Sequence, residues 1–174
     1  MKTLRLLVCL IFVFAFSVII SGQNYKMPAE NFSAVSMDGE RIELNSLKGK
    51  VVVLTFWSTR CQNCHGVIPK LNRIANNYKG KDVVFLALTM ENQAKVENYL
   101  RKNQFNFKIL PNTFDVVLKY ADKNGTGFIE MAFPTHFLVN QNGEIELKTS
   151  GFDKAGQIDS VISRLLSSGQ ARVE

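Results

Sequence analysis

One segment constrains the fold more than any other. Val51 to Trp57 is an unbroken apolar, β-branched run that leads into two cysteines, Cys61 and Cys64. Such a run is typical of a central strand covered on both faces of a sheet. Helical spacing of apolar residues follows up to Lys79 and is interrupted by Pro69, where we expect a kink. The two cysteines therefore lie where a buried strand passes into a helix.

Apolar patterning divides the rest of the chain into short elements. A β-hairpin is predicted over residues 32–44, around the turn Asp38-Gly39. The later segments are a strand at 83–89, a helix at 92–103, an ambiguous stretch at 105–110, a helix at 113–120, a loop at 122–131, a strand hairpin at 135–149 and a last helix that begins near Asp153 and frays from Ser167. This order predicts an α/β fold with a central mixed sheet flanked by helices and an added N-terminal hairpin.

The N-terminus has the layout of a secretory signal. Lys2 and Arg5 precede an apolar stretch, residues 6–20, in which only Ser17 is polar, and small residues follow at 21–22. As a helix this stretch reaches roughly 22 Å, which is shorter than a hydrocarbon core of roughly 30 Å. The length favours a cleaved signal peptide over a membrane span.

Two points about this segment stay open at the level of sequence. Cleavage after Gly22 and cleavage after Ser17 both fit, and an uncleaved membrane tether through residues 6–20 remains an alternative. In either case residues 1–22 form a signal peptide or N-terminal membrane anchor, and residues 23–174 form one domain. We expect that domain in the periplasm or another extracytoplasmic compartment, secreted or anchored by its N-terminus.

Composition excludes some classes of partner. The net charge is 21 − 15 = +6, and two of the positive charges lie in the first five residues. The remainder is too small and too scattered to predict nucleic-acid binding. With 46% hydrophobic and 21% charged residues, the chain is typical of a folded soluble domain, and we expect a monomer.

The cysteine pair is placed for chemistry. Cys9 lies inside the predicted signal, which leaves Cys61 and Cys64. A bond between residues three apart closes almost no loop and stabilises the fold little. At the start of a helix, Cys61 faces free backbone N–H groups and the positive end of the helix dipole, which favour the thiolate. Arg60 and His65 add positive potential, so Cys61 is the predicted nucleophile.

Cys64 follows one helical turn later, with its Cβ roughly 5 to 6 Å from that of Cys61 on the same face. It can therefore attack a mixed disulfide formed at Cys61. Two thiols in this arrangement form a reversible two-electron couple that needs no organic cofactor. Trp57 is interpreted as a core residue beneath the helix.

Three other functions use cysteine and histidine side chains of this kind. A structural zinc site needs four ligands. Beyond the two cysteines Cys61 and Cys64, the domain offers only His65 and His136 to complete such a set, and we expect no bound metal. A copper-binding, metallochaperone-like protein would use Cys61, Cys64 and His136 and is kept as the alternative. A peroxidase of the peroxiredoxin type would have a proline seven positions before its reactive cysteine, where this chain has Leu54.

Several separated motifs resemble those of one family. They are 56–64 (FWSTRCQNC), 69–71 (PKL), 37–40 (MDGE), 47–51 (LKGKV), 133–139 (FPTHFLV) and 142–143 (NG). Together they are similar to the TlpA/ResA-like thiol:disulfide oxidoreductases, the extracytoplasmic branch of the thioredoxins. The likeness runs from about Pro28 to Phe152 and implies a thioredoxin-like fold.

The resemblance also implies site residues and partners. The bond before Pro134 is expected to be cis, and Phe133, Pro134 and Thr135 are expected to bind the substrate chain. Glu91 is the candidate for a buried carboxylate of raised pKa that accepts a proton from Cys64; a solvated glutamate at a helix start is the alternative. Implied partners are protein thiols and disulfides and a membrane or periplasmic electron donor, with reduction, for example in cytochrome c maturation, as the expected direction.

The chain also departs from the family pattern. Thr55 stands where thioredoxins have a buried aspartate, Arg60 stands where a tryptophan is usual, and Gln62-Asn63 lies between the cysteines. These differences leave the redox potential open. Two interpretations fit Tyr120, Phe128 and Phe133: an apolar collar around the cysteines, or ordinary packing.

Overall fold

The structure is a computed structural model that describes residues 26–123, 125, 127 and 129–170. The predicted signal at residues 1–22, the tether at 6–20 and Phe128 lie outside these described residues. Among the helices within them, none combines the length and apolarity needed to cross a bilayer.

The described chain alternates strands and helices. The strands are β1 (Ser33–Val35), β2 (Arg41–Glu43), β3 (Val51–Phe56), β4 (Val83–Leu88), β5 (Lys108–Leu110), β6 (Asp122–Lys123), β7 (Ile129–Glu130), β8 (Thr135–Val139) and β9 (Ile145–Ser150). The helices are α1 (Gln62–Asn77), α2 (Gln93–Leu100), α3 (Phe114–Tyr120) and α4 (Ala155–Gln170), with a 3₁₀ turn at Leu44–Leu47. The predicted N-terminal hairpin is confirmed as the antiparallel pair β1 and β2.

Five strands form a mixed central sheet in the order β5-β4-β3-β8-β9. Strands β3, β4 and β5 run parallel, and β8 and β9 add antiparallel pairs beyond β3. All six residues of β3 are buried. The prediction of a central strand covered on both faces is therefore confirmed, together with the α/β class.

Side chains that alternate along β3 enter two different cores. Val52, Leu54 and Phe56 pack on one side of the sheet with α3. Val51 and Val53 pack on the other side against residues of α1 and α4. A third cluster contains Trp57, which follows β3, and Cys64 and Ile68 of α1. These residues pack with Val96 of α2 and Ile109 of β5. The first turn of α1 is thereby fixed to the carboxyl end of β3.

Two expectations from the sequence were wrong, and the structure resolves one segment that the sequence left ambiguous. The predicted loop at 122–131 contains the short antiparallel pair β6 and β7. Local composition does not indicate these strands, because both are exposed and Asp122 forms an ion pair with the distant Lys148. The ambiguous stretch at 105–110 ends in β5, which pairs with β4. Helix α4 continues to Gln170 instead of fraying from Ser167, because Gln141 and Ser168 bond the Leu165 carbonyl.

Asn112 links β5 to the segment after β4 in a left-handed conformation, with φ of 56°. Its N–H donates to the Glu91 carbonyl at 2.9 Å. A β-branched side chain is strained at such φ, so Asn112→Val should lower the free energy of unfolding by about 1 to 2 kcal/mol. Asn112→Gly should change it by less than about 0.5 kcal/mol. Urea unfolding measures both, and a valine that costs no more than glycine would contradict the strain.

Candidate active site

Cys61 and Cys64 are joined by a disulfide at the start of α1, with Cα atoms 5.2 Å apart. Cys61 is the N-cap of the helix in an extended conformation, and its Sγ accepts from the Cys64 N–H at 3.1 Å. The Cys64 N–H also donates to the Cys61 carbonyl at 3.0 Å. The sulfur thus lies at the positive end of the helix dipole, as the sequence predicted.

The two sulfurs differ in access to solvent. Cys61 is half-buried, whereas Cys64 is 0% exposed and packs against Trp57 and Ile68. An incoming group can therefore reach Cys61 but not Cys64. Of the two sulfurs, Cys61 is thus the one accessible to another protein.

The bond between Phe133 and Pro134 is cis, as the resemblance implied. Phe133 packs against the cluster that holds both cysteines, and the Pro134 carbonyl accepts from the Gly151 N–H at 2.9 Å. Thr135 is 2% exposed, and its hydroxyl donates to the Ala132 carbonyl at 2.6 Å. Any contact between Thr135 and a substrate therefore falls to its main chain.

Arg60 and His65 are both exposed. The Arg60 N–H donates to Ser58 Oγ at 3.2 Å. His65 Nε2 donates to the Thr59 carbonyl at 3.0 Å, and its ring lies 5.3 Å from that of Tyr99 in α2. Both residues flank the cysteines, and His65 also ties α1 to the loop before Cys61.

Glu91 does not have the raised pKa that the sequence led us to expect. Burial raises the pKa of Glu91, but hydrogen bonds from Lys95 and Thr59 and the Lys95 charge outweigh it and hold this pKa below its usual value. Lys95 Nζ lies 2.5 Å from Oε1. The expected rise of this pKa is therefore contradicted, while the role of Glu91 as a proton acceptor for Cys64 stays a prediction.

His136 is fully buried in β8, opposite Thr55 of β3. Its Nδ1 lies 3.1 Å from Thr55 Oγ1, and Nε2 has no hydrogen-bond partner among the residues described. Burial lowers the pKa of His136 to about 4. The imidazole is therefore neutral in the folded protein at neutral pH.

The copper alternative is not favoured. In the described part of the chain, no group of three or more His, Cys, Asp or Glu side chains is arranged to hold a metal. Cys61 and Cys64 are joined to each other, and His136 bonds to Thr55 inside the sheet. The three candidate copper ligands thus do not form one site.

The aromatic residues near the site pack mainly with each other. Trp57 is 0% exposed, and its ring lies 4.7 Å from Phe105, which confirms it as a core residue. Tyr120 lies on the other side of the sheet, where its hydroxyl donates to the Glu30 carbonyl at 2.7 Å. For Tyr120, the alternative of ordinary core packing therefore holds.

Sequence reasoning missed two groups of residues beside the cysteines. Ser58, Thr59 and Lys95 surround the Glu91 carboxylate; the i,i+4 spacing of Glu91 and Lys95 was the available signal. Phe152, which is 49% exposed, lies against Gly66, where a Cβ atom would stand 2.2 Å from its ring. No local pattern indicates that contact.

Comparisons with known proteins agree with this arrangement. A sequence model of the AhpC/TSA family matches residues 26–148. The thiol-disulfide oxidoreductase ResA of Bacillus thuringiensis is 32% identical over 79% of this chain and 76% of its own length. ResA of Bacillus subtilis is 28% identical over 85% of this chain and 81% of its own length.

Solved structures show the same fold. A thioredoxin-family thiol:disulfide interchange protein from Chlorobium tepidum superposes with a TM-score of 0.69 at 22% identity, covering 83% of this chain and 99% of that one. The fold, together with a half-buried Cys61 and a fully buried Cys64, defines a thioredoxin-like thiol:disulfide oxidoreductase. The chain belongs to the AhpC/TSA family and is a TlpA/ResA-like member of the thioredoxin superfamily.

The buried histidine predicts how stability depends on pH. The unfolded chain binds a proton at His136 below about pH 6.5, whereas the folded protein does so only near pH 4. Stability contributed by the neutral ring is complete above pH 6.5 and falls as pH drops, by about 1.4 kcal/mol per unit and about 3 kcal/mol in total. Glu91 and Glu146 have pKa values below the ordinary 4.5 in the folded protein, so their protonation reduces stability only below about pH 4.5.

The window between pH 6.5 and 4.5 therefore isolates the histidine. His136→Leu should flatten the fall in stability across that window, whatever its absolute stability. Denaturant unfolding at closely spaced pH values measures the slope. Parallel slopes for the wild type and the variant would contradict the assignment.

Proposed function

We propose that the protein reduces disulfides of extracytoplasmic protein substrates through the couple formed by Cys61 and Cys64. The observation that carries the proposal is the asymmetric pair: a half-buried Cys61 whose sulfur accepts an N–H bond at the start of α1, and a fully buried Cys64. A helix N-terminus lowers the pKa of a thiol and increases the fraction of reactive thiolate.

The exchange involves only the sulfur atoms of the two cysteines and of the substrate. In the reduced protein, the Cys61 thiolate attacks one sulfur of a substrate disulfide, and the other sulfur leaves as a thiolate. Cys64 then loses its proton and attacks the Cys61 sulfur, which releases the second substrate sulfur. The product is the Cys61–Cys64 disulfide, and two electrons have passed to the substrate. A membrane or periplasmic dithiol donor then reduces that disulfide.

Substrate contact is assigned to the segment around Pro134. Phe133 is half-buried and packs against the cluster that contains Cys61. An apolar side chain of a substrate can therefore cover Phe133 and Cys61 together. Thr135 contributes only main-chain groups. A protein chain bound here in extended form would present its sulfur to Cys61.

Compartment and partners are proposed from the sequence and from relatives. The charged start, the apolar stretch at 6–20 and the small residues after it support export across a membrane. The likeness to ResA supports a reducing role, and we propose disulfides formed between cytochrome c thiols as one substrate class. The domain is proposed to act as a monomer without a cofactor.

Trapping tests the exchange mechanism. Cys64→Ser should leave Cys61 in mixed disulfides with its substrates, because no second sulfur can resolve them. Cys61→Ser should trap none, since Cys64 is buried. Non-reducing gels and mass spectrometry of the isolated complexes measure this. Equal trapping by the two variants, or none by Cys64→Ser, would refute the mechanism.

The midpoint potential tests the reducing direction. We expect a value near that of thioredoxin, about −270 mV, and not near the −120 mV of a strong oxidant. Arg60→Gln should lower it further by roughly 5 to 20 mV, because an exposed positive charge stabilises the thiolate slightly and is screened by salt. Lys50→Gln, which removes a charge before the opposite end of β3, should leave it unchanged. A potential near −120 mV would reverse the direction.

A further inference from the structure

Arg60 is an exposed cation directly before the nucleophile. Its main-chain N–H donates to Ser58 Oγ at 3.2 Å, so the turn that presents Arg60 is fixed while its side chain stays in solvent. Within the part of the chain that the structure describes, no carboxylate forms an ion pair with the Arg60 guanidinium. The chain therefore presents an unpaired positive charge next to Cys61.

Three other basic side chains near the cysteines are already engaged. Lys95 of α2 pairs with Glu91 at 2.5 Å, and Lys70 of α1 pairs with Asp153 at 3.2 Å. His65 donates a hydrogen bond to a main-chain carbonyl at 3.0 Å. The same two ion pairs occupy the carboxylates on either side of the site, so neither carboxylate neutralises the arginine.

The topology of the sheet separates Arg60 from Pro134. Strand β3, which leads to Cys61, runs between β4 and β8. The loop that carries Arg60 is held on the β4 side, because the Thr59 N–H donates to Glu91, in the segment after β4, at 2.7 Å. Pro134 directly precedes β8, on the other side of β3. A substrate chain that crosses Cys61 therefore has Pro134 on one side and Arg60 on the other.

Disulfide exchange brings the substrate chain close to this arginine. In a mixed disulfide the substrate sulfur lies about 2 Å from Cys61 Sγ, and consecutive Cα atoms of a chain are about 3.8 Å apart. The long side chain of Arg60 can therefore meet the substrate residue next to the exchanging cysteine. A guanidinium binds a carboxylate through two parallel hydrogen bonds, which a neutral amide cannot match in charge.

From these observations we infer that Arg60 is a specificity-determining residue, which selects protein substrates that carry an aspartate or glutamate next to the exchanging cysteine. The inference rests on the proposed function, because it names the chemistry of the substrate that Cys61 attacks. Recognition is then divided between an apolar contact at Phe133 and an ionic contact at Arg60. Arg60 stands where the family usually has a tryptophan, so this preference belongs to this chain.

The experiment measures single-turnover reduction of short disulfide-linked peptides by the reduced full chain, stopped with acid and followed by mass spectrometry. Three peptides with blocked termini are compared: one carries glutamate before its cysteine, one carries glutamate after it, and one carries glutamine at both positions. Each rate constant is divided by that of dithiothreitol with the same peptide, which removes the peptide's own reactivity. The acid preference is the ratio of these normalised rates between a glutamate peptide and the glutamine peptide.

For the wild type we expect an acid preference of roughly threefold to fivefold at one of the two positions at low ionic strength, as an exposed ion pair provides. The preference should fall toward one in 1 M salt, where the screening length is about 3 Å. Arg60→Gln should abolish it, Arg60→Lys should retain part of it, and Arg60→Glu should invert it. Arg101→Gln, which removes an exposed arginine at the far end of α2, is the matched control and should keep the wild-type preference.

The acid preference isolates recognition from reactivity. Arg60 also acts on the Cys61 thiolate, but that effect changes the rates of all three peptides by the same factor and leaves their ratio unchanged. A wild type without acid preference at either position, or a preference that Arg60→Gln retains, would overturn the inference. A wild type that reduces none of the peptides would instead refute the proposed function, so the two failures are distinguishable.

Discussion

The single hydrogen bond from the Cys64 N–H to Cys61 Sγ is the interaction on which the rest of the site depends. It exists only if Cys61 caps α1 and the first turn of that helix is held rigidly. The packing of Cys64 and Ile68 against Trp57 supplies that rigidity. Because the same packing buries Cys64 completely, the two cysteines acquire different roles although they are only three residues apart. Strand β3, covered on both faces, is the support for this arrangement.

A carboxylate close to a nucleophilic thiolate is at first sight unfavourable, since like charges repel. Around Glu91 the structure resolves this conflict by saturating the carboxylate. Lys95 balances its charge, and the main chain and hydroxyls of the preceding loop occupy its oxygens. The low pKa of Glu91 therefore follows from the hydrogen bonds that Lys95 and Thr59 donate to it. A perturbed pKa beside an active site identifies a residue that matters, but its direction shows which of the possible roles the residue can perform.

Features encoded within a few neighbouring residues were predictable from the sequence. The run of residues in β3, the cysteines at the helix start and the turn of the N-terminal hairpin each have a local signature, and each was found. Features that depend on distant pairing were not predictable in the same way: β6 and β7 pair across a loop, and Phe152 meets Gly66 only after the sheet has formed. Glu91 was found as a position, but its pKa depends on Thr59 and Lys95 together, and no single segment contains all three.

The sheet beneath the cysteines carries a neutral pair where thioredoxins have an acid. Thr55 and His136 face each other in β3 and β8, on the side of the sheet that α1 and α4 cover, and burial keeps the imidazole uncharged at neutral pH. Cys64 is fully buried among apolar side chains, an environment that disfavours a charged sulfur. The Cys61 sulfur is instead half-buried and caps α1, where a helix N-terminus favours a thiolate over a thiol. In this arrangement, attack and resolution are separated by the different surroundings of two chemically identical side chains.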